Sequence, residues 1–121
     1  MAFIKNTNLV SSQALTIDGL VGGSNNRVVR VSGNNSVTNA GYGDTAAQLN
    51  AVLFKSSNTY YAWGLIASAG SFVAGTSYFL DQFGTLTATP PNPTASIRVL
   101  YVGFAINGTD LLFKPGIPIS G

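Results

Sequence analysis

Short apolar runs, each broken by a cluster of Gly, Asn, Ser or Pro, repeat along the whole chain, and this pattern constrains the fold more than any other feature. Runs of this length bounded by turn residues read as strands, and apolar residues at helical spacing are nearly absent. The expected fold class is all-β: a single-domain antiparallel β-barrel or β-sandwich over residues 1–121, with extended terminal arms at 1–8 and 115–121.

The pattern opens with LVSSQALTI (9–17) and continues through a Gly/Asn-rich loop, DGLVGGSNN (18–26). In RVVRVS (27–32), Val28, Arg30 and Ser32 alternate against Val29 and Val31, and GNN (33–35) hands the strand to a short one over 36–39. DTAAQLN (44–50) suits one helical turn with Asp44 as its N-cap, because a carboxylate there accepts from the free amides of the first turn. Strands follow in AVLFKS (51–56) and TYYAWGLIA (59–67), the second β-branched and aromatic at one end. SYFLD and TLTAT flank Gln82-Phe83-Gly84, a hairpin loop that Gly84 can close with a positive φ. Pro90-Pro91-Asn92-Pro93 cannot pair in a sheet and reads as an extended crossing loop.

Asn107-Gly108, between strands at 97–106 and 109–114, is the strongest hairpin signal and suits a type I′ turn. In the first of these strands Arg98, Leu100, Val102, Phe104 and Ile106 fall on one face, and Val99, Tyr101, Gly103 and Ala105 on the other. Both faces are largely apolar, so this strand is central or has its outer face covered.

At 121 residues there is room for one core and no second domain. Charged residues are 8% of the chain, against roughly 25% in ordinary soluble domains. A surface this neutral implies coverage by partners, the plainer alternative being solubility carried by hydroxyls and amides. The net charge of +2 comes from Lys5, Arg27, Arg30, Lys55, Arg98 and Lys114, which are too scattered for a nucleic-acid stripe. Without cysteine there are no disulfides or thiolate metal sites. MAFIKNTN lacks a signal-peptide core and no run nears about 18 apolar residues, so the chain is expected to fold where it is made, with no membrane partner.

Histidine and glutamate are both absent, which removes the usual general bases and imidazole ligands. Asp18, Asp44, Asp81 and Asp110 are isolated in sequence and suit capping or turn bonding, and no Asp-x-Asp run supports a calcium site. GLVGGS (19–24) lacks the ending of a phosphate loop, and Lys55-Ser56-Ser57 lacks an oxyanion-hole motif. Asn34-Asn35-Ser36 and Asn107-Gly108-Thr109 match a glycosylation pattern but are better explained as turns. Neither a catalytic residue nor a cofactor is expected. Tyr60, Tyr61 and Trp63 are spaced to stack on bases or sugars, although core packing or a subunit interface is the commoner use.

From Gly64 onward, Val73-Ala74-Gly75-Thr76-Ser77-Tyr78-Phe79-Leu80 precedes a Gly hairpin and Leu86-Thr87-Ala88-Thr89-Pro90-Pro91 follows it. Val102-Gly103-Phe104-Ala105-Ile106 then leads to Leu111-Leu112-Phe113-Lys114-Pro115. Residues 64–115 thereby resemble a small β-module of virion proteins in tailed bacteriophages, while residues 1–63 match it only loosely. A short chain read as complete from Met1 is closest in style to the capsid decoration, or cement, proteins, a family that includes those of some cyanobacterial phages. The resemblance implies a non-enzymatic virion protein, assembled in the host cytoplasm. It would bind the outside of the major capsid protein shell as a homotrimer. The alternative is a tail or head fibre module contacting a host surface glycan.

On that reading the termini are arms. Ala2-Phe3-Ile4 and Ile117-Pro118-Ile119 are apolar ends that a neighbour could bury for roughly 1.5 to 3 kcal/mol per large side chain. Pro115 and Pro118 stiffen the tail before it docks. The expected interface residues are Phe3, Ile4, Tyr60, Tyr61, Trp63, Phe83, Ile117, Pro118 and Ile119.

Overall fold

The computed structural model describes residues 14–121. Phe3 and Ile4, the arm at 1–8 and the first half of the strand expected over 9–17 lie outside the described residues. The elements run β1 (Ala14–Ile17), β2 (Val21–Gly22), β3 (Arg27–Gly33), β4 (Ser36–Asn39), α1 (Ala46–Leu49), β5 (Val52–Ser56) and β6 (Thr59–Ile66). Then come β7 (Ser77–Leu80), β8 (Leu86–Thr87), β9 (Arg98–Val99), β10 (Tyr101–Ala105), β11 (Leu111–Phe113) and β12 (Ile119–Ser120).

The protein is all-β. Ten of these strands form one sheet in the order β2-β4-β3-β5-β6-β11-β10-β7-β8, with β1 also on β6, while β9 and β12 pair separately. The sheet is mixed rather than purely antiparallel, because β2 runs parallel to β4 as the 18–26 segment returns along that strand. Nor, among the described residues, does it close into a barrel by strand pairing. The register explains its shape: Tyr61 pairs with both Phe54 and Thr16, and Gly64 with both Phe113 and Ala14. Therefore β5 and then β11 occupy the same edge of β6, and β1 occupies the other. Between those stretches the register slips opposite Leu15 and Thr16, leaving Ala62 as an extra residue. A bulged strand that changes direction in this way forms a corner, and the two halves of the sheet fold face to face across it.

The far side is closed by a 3-10 turn, Gln82–Gly84, at the tip of the β7–β8 hairpin. Gly84 has the expected positive φ, at 79°, and a β-carbon there would meet the Val28 backbone. The Phe83 carbonyl accepts from Arg27 Nη1 at 3.1 Å.

Between the halves lies the main core. Val28, Leu49 and Phe54 meet Ile66, Leu80, Leu100, Val102, Leu111 and Phe113, all 0–1% exposed. The Phe54 and Phe113 rings sit 5.8 Å apart, tilted at 53°. On the opposite face of β3–β5, Val29, Val37, Leu53 and Tyr60 form a smaller core with Leu20 from the 18–26 loop. The Tyr60 hydroxyl donates to the Gly22 carbonyl at 2.8 Å, and Lys55 Nζ donates to the Gly22 and Gly23 carbonyls at 3.0 and 3.1 Å. Covering both faces is what allows the adjacent Val28 and Val29 to be buried together.

Three local expectations are corrected. The helical turn is capped by Thr45, not Asp44: Thr45 Oγ1 accepts from the Gln48 amide at 3.2 Å and Gln48 Oε1 from the Thr45 amide at 2.9 Å, a reciprocal capping box. Asp44, one residue too early, instead accepts from the Gly41 amide at 2.9 Å and pairs with Arg30 Nε at 3.0 Å. The β10–β11 turn is not type I′, since neither Asn107 nor Gly108 has a positive φ. Asn107 Oδ1 accepts from the amides of Thr109 and Asp110, both at 2.9 Å, so a side chain supplies the turn's acceptor. Finally, the two faces of the 97–106 strand swap midway. A bulge at Gly103, φ 150°, puts Leu100, Val102 and Ala105 in the core and leaves Tyr101 and Phe104 half-buried.

Candidate interaction surface

The outer face of the second half of the sheet is built by simple alternation. Leu111 and Phe113 enter the core, so Leu112 points away from it, and pairing sets Leu112 between Leu65 on β6 and Phe104 on β10. Tyr78 and Leu80 are core residues, so Phe79 also points outward, where its ring meets Tyr101 edge-on at 5.9 Å. Past β6, Trp63 and Leu15 are direct cross-strand partners, 50% and 48% exposed. The result is an apolar strip across β1, β6, β11, β10 and β7, with exposed Lys114 following β11. Cross-strand aromatic and aliphatic pairs stabilise the sheet, yet leave a face with little to offer water.

The structure separates the expected aromatic group. Tyr60 is a core residue, Tyr61 is half-buried against the main core, and Trp63 stands on the outer strip. The tail is held by its own chain: the Gly116 amide donates to the Tyr101 carbonyl at 2.9 Å and the Gly121 amide to the Thr94 carbonyl at 3.2 Å. Ile119 pairs with Val99 in the β9–β12 ladder. Its apolar side chains still face outward, with Ile117 81% and Ile119 60% exposed and Pro118 half-buried. Phe83 is 71% exposed at the rim of a cleft of about 290 Å³, whose walls include Tyr42, Asp44 and Gln82.

Leu15, Leu65, Phe104 and Leu112 were not singled out in the sequence as surface residues. Their signal was the alternation within 9–17, 59–67, 97–106 and 109–114, which became readable only once the register showed which parity faced the core.

Among the described residues no three His, Cys, Asp or Glu side chains converge as metal ligands, and no helix is long and apolar enough to cross a membrane. Three of the carboxylates serve the local backbone: Asp44 at Gly41, Asp81 at the Gln82 amide (2.9 Å), and Asp110 at the Ser68 amide (3.0 Å). Asp110 is held below the usual carboxylate range, chiefly by the Asn107 side-chain amide, then by the Ser68 amide and the Thr109 hydroxyl. A depressed folded-state pKa contributes stability above the unfolded value that is lost as pH falls through the folded one. Acidification below the ordinary carboxylate range should therefore loosen the contact between residues 68–72 and 106–110. The protection factor of the Ser68 amide, its exchange rate divided into the intrinsic rate at each pH, should fall in that window and stay flat in Asp110→Asn.

No family model, curated protein or solved structure matches this chain.

Proposed function

We propose that the chain is a non-enzymatic structural protein of a tailed-phage virion: a decoration protein that binds the outside of the major capsid protein shell as a homotrimer and stabilises it. One observation carries this reading, the apolar strip from Leu15 and Trp63 through Leu65 and Leu112 to Phe104 on a chain that is only 8% charged. A surface of this kind gains free energy by being covered, at roughly 25 cal/mol per Å² of apolar area removed from water. The resemblance of residues 64–115 to phage virion modules supplies the kind of partner, and the isolated carboxylates fit a protein that contributes contact area rather than chemistry.

The test is the paired substitution Leu15→Ser and Trp63→Ser. Both side chains are about half exposed in the single chain, so thermal unfolding should shift little. Binding to undecorated shells, or trimer assembly, should weaken roughly 10- to 100-fold, as expected for one or two lost apolar anchors. Undiminished binding and assembly would remove this strip from the interface and the proposal with it.

A further inference from the structure

The cleft beside Phe83 presents a combination that the strip does not. Phe83 adopts a left-handed backbone conformation, φ 59° and ψ 27°, which is unfavourable for a bulky side chain. That conformation is fixed from both sides, by Arg27 on the Phe83 carbonyl and by Gly84 packed on Val28. What it achieves is display: the ring is 71% exposed instead of folding onto the neighbouring core.

The same cleft is lined by residues 41–44, a segment held in place by two arginines. Arg98 Nη1 donates to the Asp44 carbonyl at 2.8 Å and the Arg98 amide to the Tyr42 carbonyl at 2.8 Å, while Arg30 holds Asp44 Oδ2 at 3.0 Å. Asp44 Oδ1 and Gln82 Oε1 receive no hydrogen bond among the described residues. The Tyr42 hydroxyl accepts from Gln82 Nε2 at 2.8 Å, which leaves its own proton to donate. Phe83, two unfilled acceptors and one hydroxyl donor thus belong to residues that border one cleft. Its volume, about 290 Å³, lies near the lower end of small-molecule sites and suits one ring rather than a chain.

We infer that this cleft binds a single sugar ring. The C–H face of the sugar packs on Phe83, vicinal hydroxyls donate to Asp44 Oδ1 and Gln82 Oε1, and the Tyr42 hydroxyl donates to a ring or hydroxyl oxygen. A hydroxyl-rich ligand fits better than a donor-free anion or an apolar peptide, neither of which would fill the two acceptors. Preorganised polar groups on a rigid wall reduce the ordering cost of weak binding. This inference is independent of the shell-binding surface, since Phe83 and Tyr42 are not part of the apolar strip.

The test is a two-dimensional amide NMR titration of the full chain with the methyl glycosides of glucose, galactose and mannose, and with N-acetylglucosamine. The expected result is millimolar binding of at least one of the four, with shifts concentrated at the amides of Gly41, Gly43, Gln82 and Gly84. In Phe83→Gly the shifts should fall at least tenfold at equal sugar concentration while the melting temperature stays level or rises, because glycine accepts the left-handed conformation without strain. Four sugars without cleft shifts would overturn the inference. So would a Phe83→Gly variant that binds as well as the parent.

Discussion

Replacing Gly103 with alanine should destabilise the protein by about 4 kcal/mol, a large share of what a domain of this size possesses. Two causes act together. The residue sits at φ 150°, which L side chains rarely adopt, and a β-carbon there would fall on the Leu112 carbonyl oxygen, well inside contact distance. That carbonyl belongs to the neighbouring strand of the ladder, so relief requires β10 and β11 to separate in the middle of the sheet. Gly75→Ala is the matched control. It also has a positive φ, at 79°, but a β-carbon there meets nothing within 4 Å, and its cost should stay near 1 kcal/mol. Urea unfolding midpoints of the two variants separate the effects, and equal midpoints would mean that the bulge is not held by this close approach.

Phe54→Ala should cost a similar amount, roughly 3 to 5 kcal/mol. Phe54 is fully buried, packs against Phe113 across the fold, and lies on β5, the strand that shares an edge of β6 with β11. Its removal opens a cavity where the two halves of the sheet meet, and neither ladder can shift inward without losing register. A loss below about 1.5 kcal/mol, measured by denaturant unfolding with an unchanged slope, would indicate that the corner at β6 can collapse and is less rigid than the pairing implies.

Much of this architecture was readable before the structure. Short apolar runs between turn residues locate the strands because a pleated, half-buried surface selects β-branched and aromatic side chains, and Arg27–Gly33, Val52–Ser56 and Thr59–Ile66 fall close to their expected limits. Errors arose where one side chain did a job that the backbone pattern suggested for another. Asn107 accepts two amides itself, so the Asn-Gly pair needs no positive φ. Thr45 and Gln48 cap the helical turn, although Asp44 is an equally good capping residue by type. The Thr-x-x-Gln spacing was the decisive sign.

Bulges were less legible. At Ala62 and at Val102 a single extra residue reverses which parity faces the core, and the one local sign at the second is Gly103 inside a strand run. Those two slips explain why the surface residues were only partly foreseen: Trp63 was expected as an interface residue, while Leu65, Leu112 and Phe104 emerge only from cross-strand pairing. Phe83 is an interface candidate by sequence, but its left-handed backbone is not legible there, because the hairpin pattern asks only Gly84 to take a positive φ.

Shell binding through the apolar strip is most directly tested by counting this protein in purified virions, by mass spectrometry, as a ratio to the major capsid protein. The prediction is a ratio near one, or a fixed simple fraction of it, as a lattice-wide decoration requires. A ratio lower by orders of magnitude would contradict decoration and move the chain to a fibre or vertex, and complete absence would contradict any place in the virion.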